Sequence, residues 1–265
     1  MNSIPAIELH SLTVSYDNKP ALWNTDYTLP EGVLAGIIGP NGSGKSTMLK
    51  AMMGLVQPAS GYVKLFGQPL DAVRQRVAYV PQRSSVDWDF PVTVLDVVLM
   101  GRYRPGNLFR RSSAHDRELA MECIRKVQLE PFVGRQIARL SGGQQQRVFI
   151  ARALAQQADL YLLDEPFAGV DAATEAAIMD LLREMRSQGR TVVVVHHDLQ
   201  SVAEYFEWLV MVNTRLVAAG PVADVFTADK LQQTYGGSLS ILSQVGELVR
   251  QQAHPVRETP RPPMP

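Results

Sequence analysis

Nine consecutive residues have the sequence Gly39-Pro40-Asn41-Gly42-Ser43-Gly44-Lys45-Ser46-Thr47. They fit the spacing G-x-x-x-x-G-K-S/T of a phosphate-binding loop. The apolar run 33–38 predicts a buried strand before the loop, and residues 46–53 predict a helix after it. In this arrangement glycines let backbone N–H groups turn toward phosphate oxygens, and the helix N-terminus adds its positive end. Lys45 then supplies a positive charge for the β- and γ-phosphates, and the Ser46 hydroxyl can ligate Mg²⁺. A glycine-rich surface turn is the alternative, but both flanking segments favour the phosphate loop.

The composition limits the class of protein. The 265 residues allow one large α/β domain or two small ones, and 46% of them are hydrophobic. The net formal charge of zero does not suggest a nucleic-acid-binding protein with a basic face. The single Cys123 excludes an internal disulfide framework and fits a reducing compartment. Because we find neither a signal-peptide pattern nor a membrane-spanning apolar run, we expect a cytosolic chain whose membrane role comes through a partner.

Two further buried strands are predicted to end in polar side chains. The apolar run 160–163 is followed by Asp164 and Glu165, and the run 191–195 by His196 and His197. Ligands of open α/β sheets bind at the carboxyl ends of the strands, so Asp164 can hold Mg²⁺ and Glu165 can orient or deprotonate an attacking water. A histidine at the second strand end can donate a hydrogen bond to a γ-phosphate oxygen. Because side chains alternate along an extended segment, the two histidines should not converge on one metal ion.

Four weaker signals each leave two interpretations open. Gln82, after the predicted strand 77–80, could reach a metal or a water, although many strands end in glutamine. Tyr16, before a turn, could stack on an adenine ring or pack at a sheet edge. The turn Ser141-Gly142-Gly143-Gln144 opens a predicted helix and is either a second anion site or only a helix cap. The loop 87–91, in which two acids alternate with two aromatics, either docks a partner or folds back onto its own domain.

The order of segments predicts an α/β fold with two departures from simple alternation. Strand-like residues 7–14, 27–29 and 61–66 form an N-terminal β part, and residues 83–157 are mostly helical, which suggests an inserted helical subdomain. Residues 236–265 end in a Pro- and Arg-rich segment that we expect to be disordered.

Together these motifs resemble the nucleotide-binding subunit of an ABC (ATP-binding cassette) transporter, over about Ile7 to Tyr235. The loop matches Walker A, residues 160–165 match Walker B, and residues 140–144 match the LSGGQ signature. Gln82 matches the Q-loop, Asp171 the D-loop and Tyr16 the A-loop aromatic. The resemblance implies one P-loop NTPase cassette over residues 1–235, with a RecA-like core, an antiparallel β part and the helical insertion.

The resemblance also implies a mechanism with ATP and Mg²⁺ as cofactors. Two copies pair head to tail, and ATP lies between the phosphate loop of one and the Ser141–Gln144 turn of the other. Glu165 polarises the attacking water, and Gln82 and His197 contact the γ-phosphate or its Mg²⁺. His197 aligns with the family's switch histidine, and His196 takes a place usually held by Ser or Thr.

A narrower resemblance links the segments 85–91, 99–103, 167–171 and 195–199 to bacterial manganese, zinc and iron importers, with the manganese and iron types most similar. It implies an integral membrane permease, a metal-binding protein that acts indirectly, no nucleic acid, and a location on the cytoplasmic face of the membrane. The alternatives are another cargo such as a siderophore or cobalamin, an exporter, a soluble ABC ATPase acting on ribosomes or DNA, and a P-loop kinase or GTPase.

Overall fold

The computed structural model describes residues 4–103 and 112–236. The chain starts with a three-stranded antiparallel sheet of order β2-β1-β4, made of β1 (Ile7–Tyr16), β2 (Lys19–Leu29) and β4 (Ser60–Leu65). Ile7, Leu9, Leu12 and Val14 of β1 are buried, because their side chains point to the inner face of this sheet. The predicted β part is present, but β2 begins at Lys19, well before the predicted start at residue 27.

A six-stranded sheet forms the centre of the fold, in the order β5-β6-β7-β3-β8-β9. Its strands are β3 (Leu34–Ile38), β5 (Val77–Val80), β6 (Leu160–Asp164), β7 (Thr191–Val195), β8 (Trp208–Asn213) and β9 (Arg215–Pro221). Neighbouring strands are parallel except for the β8–β9 hairpin. Every residue of β3, β6 and β7 is buried, as expected for strands that are covered on both faces. Their carboxyl ends lie side by side at one edge of the sheet.

Among the described residues, three α-helices lie between β5 and β6 in the chain, in the segment where the sequence predicts mostly helix. They are α3 (Val94–Met100), α4 (Ala114–Lys126) and α5 (Gly142–Gln156). Each begins with a capping box, in which a Ser or Thr and a residue three positions later satisfy each other's backbone N–H groups. The three helices pack against one another.

The other helices belong to the layers around the central sheet. They are α1 (Lys45–Met52), α2 (Leu70–Val73), α6 (Ala172–Ser187), α7 (Val202–Tyr205), α8 (Val222–Val225) and α9 (Ala228–Tyr235). Successive residues of β3 enter different cores: Leu34 and Ile38 contribute to one hydrophobic cluster, and Ala35 and Ile37 to the other. The central sheet therefore separates two hydrophobic cores.

One sequence expectation, that the C-terminal tail 236–265 ends in a disordered Pro- and Arg-rich segment, lies outside the described residues. Within residues 4–103 and 112–236, no helix combines the length and the apolar content that crossing a bilayer requires.

Candidate active site

Three glycines determine the backbone conformation of the loop between β3 and α1. Gly39, Gly42 and Gly44 have φ angles of 157°, 77° and 101°. A Cβ on Gly44 would lie 2.4 Å from the carbonyl oxygen of Ala21, and one on Gly39 would lie 2.0 Å from that of Val212. Glycine is therefore required at both ends of the loop, for conformation and for space.

Lys45, the first residue of α1, folds back over this loop. Its Nζ donates to the carbonyl oxygens of Gly39 at 2.8 Å and Pro40 at 2.9 Å. Burial lowers the pKa of the Lys45 ammonium, and the negative charges of Glu165 and Asp164 oppose that shift. The ammonium is thus held in the mouth of the loop by contacts that an anionic ligand can replace.

Ser46 and Asp164 meet across the loop and the end of β6. The Ser46 hydroxyl donates to Asp164 Oδ1 at 2.8 Å. Asp164 is fully buried, its Oδ2 has no hydrogen-bond partner, and burial raises its pKa. An unpartnered carboxylate oxygen beside a hydroxyl is the hard oxygen donor set that Mg²⁺ prefers. These two residues therefore fit a Mg²⁺ ion.

Glu165 lies between Gln82 and His197, the polar residues that follow β5 and β7. Its Oε2 accepts from Gln82 Nε2 at 2.9 Å, and its Oε1 is 2.7 Å from His197 Nε2. Its φ of 53° lies in the left-handed region, which costs a residue other than glycine about 1–3 kcal/mol. The three residues follow the carboxyl ends of β5, β6 and β7, and the parallel order of these strands brings their side chains together.

One cavity of about 840 Å³ collects most of the predicted site residues. It is lined by residues 39–47 together with Gln82, Glu165, His197 and Tyr235. Tyr235, the last residue of α9, was not predicted to be near the loop. We find no local sequence signal for it, because its position depends on the packing of a helix almost 200 residues after the loop.

Three predicted motifs lie outside this cavity. Ser141 caps α5, where its Oγ accepts from the N–H of Gln144 at 3.3 Å. Asp171 caps α6 and accepts from both the N–H and the hydroxyl of Thr174 at 2.9 Å. Tyr16 ends β1 and is 45% exposed. None of these three residues lines the cavity of its own chain, so their roles in nucleotide binding stay predictions.

The two adjacent histidines point in different directions, as their alternation predicts. His196 is buried among Phe167, Tyr205 and Phe206, and its Nε2 lies 2.8 Å from the hydroxyl of Ser201. Burial lowers its pKa to about 4, so this imidazole is neutral near pH 7. Over the described part of the chain, no group of three or more His, Cys, Asp or Glu side chains could hold a metal ion.

In the loop 87–91, one aromatic residue packs on its own domain and the other is exposed. The Trp88 indole N–H donates to the carbonyl of Arg83 at 2.9 Å, and its ring contacts Phe149 of α5 edge to face at 5.2 Å. Trp88 thus packs on its own domain. Phe90, two residues later, is 57% exposed.

Comparison with known proteins explains why these residues occur together. The family model described as "ABC transporter" matches residues 22–168. The chain belongs to the ABC transporter family. It is 55% identical over 235 residues to the zinc transport system ATP-binding protein TroB of Treponema pallidum (strain Nichols), which covers 89% of this chain and 88% of that protein. It is 54% identical over 236 residues to the manganese transport system ATP-binding protein MntB of Bacillus subtilis (strain 168), covering 89% and 94%.

Solved ABC proteins have the same fold. One, described as an inward-facing metal-chelate type ABC transporter, aligns with a TM-score of 0.75 and 29% identity over 87% of this chain and 88% of the other. The dimeric post-hydrolysis state of an ATP-binding cassette bound to ADP and Pi aligns with a TM-score of 0.72 and 32% identity, over 82% and 98%. The predicted P-loop NTPase fold is confirmed. As an ABC ATPase, the chain binds ATP and couples its hydrolysis to transport.

Proposed function

We propose that this ABC ATPase powers the import of a divalent metal, manganese or zinc, through a membrane permease. The single observation that supports the cargo is the identity of 54–55% to ATP-binding proteins named for manganese and zinc transport. The narrower sequence resemblance put the manganese and iron types first and zinc after them. The metal would not touch this chain, so its identity is inferred from kinship.

The residues of the cavity support a division of roles in ATP hydrolysis. The backbone N–H groups of residues 39–44 and the start of α1 bind the phosphates, together with Lys45 and Thr47. Ser46, Asp164 and Gln82 would hold Mg²⁺, which neutralises charge on the β- and γ-phosphates when bound. Glu165 accepts a proton from the attacking water, and its contacts with Gln82 and His197 hold the carboxylate in place.

A second copy of the chain would complete this site. The Ser141-Gly142-Gly143-Gln144 turn lies outside the cavity of its own chain, and Ser141 is exposed. A head-to-tail partner brings this turn, a helix N-terminus, against the γ-phosphate. Asp171 near the interface and Tyr16 against the adenine complete the proposed contacts.

The helical segment offers a surface for the permease. Phe90, Met100 and Tyr103 are 57%, 49% and 58% exposed. A cavity of about 900 Å³ beside Met100 and Tyr103 is also lined by Arg74 and Arg102. Exposed apolar side chains beside basic ones are typical of a protein-docking surface. Docking there would hold the cassette on the cytoplasmic face of the membrane, and the metal-binding protein would act on the permease from the other side.

The experiment is elemental analysis of cells grown in metal-poor medium with Glu165→Gln as the only copy. Hydrolysis stops in this variant, so we expect one of manganese, zinc or iron to fall selectively, and that metal is the cargo. Glu118→Gln, an exposed change on α4, is the matched control and should leave all three metals unchanged. If no metal falls although the Glu165→Gln protein accumulates normally, the metal proposal is wrong and a cargo that contains none of these three metals, such as cobalamin, takes its place.

A further inference from the structure

His196 lies one residue before His197 and joins the end of β7 to the central sheet. Its backbone N–H donates to the carbonyl oxygen of Ile37 at 3.0 Å, so the pairing of β7 with β3 continues one residue past Val195. The side chain of His196 is buried, whereas that of His197 lines the nucleotide cavity. The position of His197 therefore depends directly on how the residue before it is held.

Two consecutive hydrogen bonds close the turn that follows His197. The His196 Nε2 lies 2.8 Å from the Ser201 hydroxyl oxygen, and that hydroxyl lies 2.8 Å from Asp198 Oδ2. An ionised carboxylate only accepts, so the single Ser201 hydroxyl proton points to Asp198, and the Ser201 oxygen accepts from the Nε2–H of His196. Residues 196 and 201 are thus joined across the turn that carries His197.

The imidazole of His196 also contacts the segment that follows Glu165. Phe167, two residues after Glu165, meets the imidazole edge to face, with 5.6 Å between the ring centroids. The imidazole also contacts the ring of Phe206 at 5.3 Å, and a Cβ added to Gly36 of β3 would lie 2.8 Å from that phenyl ring. His196 therefore connects the segment after Glu165 to the core beneath β3.

Glu165 and His197, the proposed catalytic pair, border open space in two places. Both line the cavity of about 840 Å³ that contains the phosphate loop, and both line a second cavity of about 200 Å³ together with Phe167 and His196. The His197 side chain is 43% exposed. Because side-chain packing around the pair is incomplete, the 2.7 Å contact between its members depends on the backbone segments that carry them. His196 contacts both of these segments.

We propose that His196 is a positioning residue, whose hydrogen bond to Ser201 and ring contact with Phe167 hold the proposed catalytic pair together for hydrolysis. The proposal rests on the roles proposed above for the members of that pair. It assigns His196 no contact with the nucleotide, so its loss should slow hydrolysis without weakening the binding of MgATP.

The test measures kcat and KM for MgATP hydrolysis by the full chain with His196→Phe, His196→Gln and Ser201→Ala. Phenylalanine keeps a ring but loses the hydrogen bond, whereas the glutamine side chain brings an amide N–H close to the position of Nε2. Because one hydrogen bond is lost, His196→Phe and Ser201→Ala should each lower kcat about threefold to tenfold and leave KM unchanged. His196→Gln should keep most of the native kcat. The double variant His196→Phe/Ser201→Ala should be no slower than either single variant, because both substitutions break the same link.

Thr191→Val is the matched control, because it removes one hydrogen bond from a buried side chain of the same strand. Thr191 begins β7, at the end away from His196, and its hydroxyl oxygen accepts from the Gly32 N–H at 2.9 Å. It does not line the nucleotide cavity. Thr191→Val should therefore lower Tm but leave kcat and KM unchanged.

Native kcat in both His196→Phe and Ser201→Ala would overturn the proposal. So would a fall in kcat of the same size in Thr191→Val, because the effect would then be general to the strand, or a His196→Gln variant as slow as His196→Phe. If His196→Phe does not fold, the kcat of Ser201→Ala decides, because Ser201 lies on the turn and is only partly buried.

His197→Ala in the same assay separates this failure from that of the proposed site. If His197→Ala loses activity while His196→Phe and Ser201→Ala keep it, only the role of His196 is wrong. If His197→Ala also keeps the native kcat, the proposed roles of the catalytic pair are wrong, and the positioning role fails with them.

Discussion

Replacing Lys45 by Met should change the stability of the nucleotide-free chain little, but it should remove much of the stabilisation that ATP provides. The Lys45 ammonium donates to two loop carbonyls and is buried. Methionine loses both hydrogen bonds, but it also removes a charge whose burial is unfavourable. These effects oppose each other, so we expect the free energy of unfolding without nucleotide to change by no more than about 1 kcal/mol.

The effect on ATP binding should be larger, because a hydrogen bond to a charged group contributes about 1.5–3 kcal/mol. Losing one such bond to phosphate raises Kd by about 10- to 150-fold. At an ATP concentration about 100 times the native Kd, binding stabilises the native chain by about 2.7 kcal/mol. With Kd about 30-fold higher, the same ATP stabilises the variant by only about 0.9 kcal/mol. At about 2–4 °C per kcal/mol, the rise in Tm on adding ATP should shrink by about 4–7 °C.

The assay is thermal unfolding of the native chain and of Lys45→Met, with and without MgATP. Lys64→Met, on the antiparallel sheet, makes the same chemical change away from the cavity and should keep the full ATP-dependent rise in Tm. If ATP stabilises Lys45→Met as much as it stabilises the native chain, Lys45 does not bind the phosphates and our reasoning fails.

The remaining predictions concern two pairs of neighbouring residues. His197→Ala should reduce steady-state phosphate release far more than His196→Ala, because only His197 contacts Glu165; His196→Ala should chiefly lower Tm by leaving a cavity among aromatic rings. If His196→Ala reduces phosphate release more than His197→Ala does, our assignment of His197 as the switch histidine is wrong. Phe90→Ala should weaken co-purification with the permease without changing Tm, whereas Trp88→Ala should lower Tm through lost packing on α5. A complex that is equally stable with Phe90→Ala would exclude this residue from the docking surface.

Much of the cavity could be predicted because its residues follow strands with a local signal. The runs 34–38, 160–163 and 192–195 are apolar and fully buried, and they are followed by the phosphate loop, by Asp164 and Glu165, and by His196 and His197. Parallel strands place these polar ends at one edge of the sheet. Position along the chain was therefore enough to expect that the loop, the two acids and His197 lie close together.

What could not be predicted depends on contacts between distant segments. The orientation of Trp88 depends on Phe149, and that of Tyr235 on a hairpin that supports the loop, and no local pattern encodes either contact. The early start of β2 was missed because exposed polar residues alternate along it, and because β1 shifts register near Leu12 against it. Local patterns thus predicted the elements, and tertiary packing determined these details.

The same packing shows how the cavity and the signature turn of one chain are connected. Gln82 donates to Glu165, and the next residue, Arg83, donates to Gln145 of α5 at 3.1 Å. The Arg83 guanidinium also lies over Gly142, where an added Cβ would approach it to 2.9 Å. Two consecutive residues thus join the proposed catalytic carboxylate to the start of α5. A rotation of α5 against the central sheet therefore either breaks the hydrogen bond between Arg83 and Gln145 or moves the backbone that carries Gln82, the donor to Glu165.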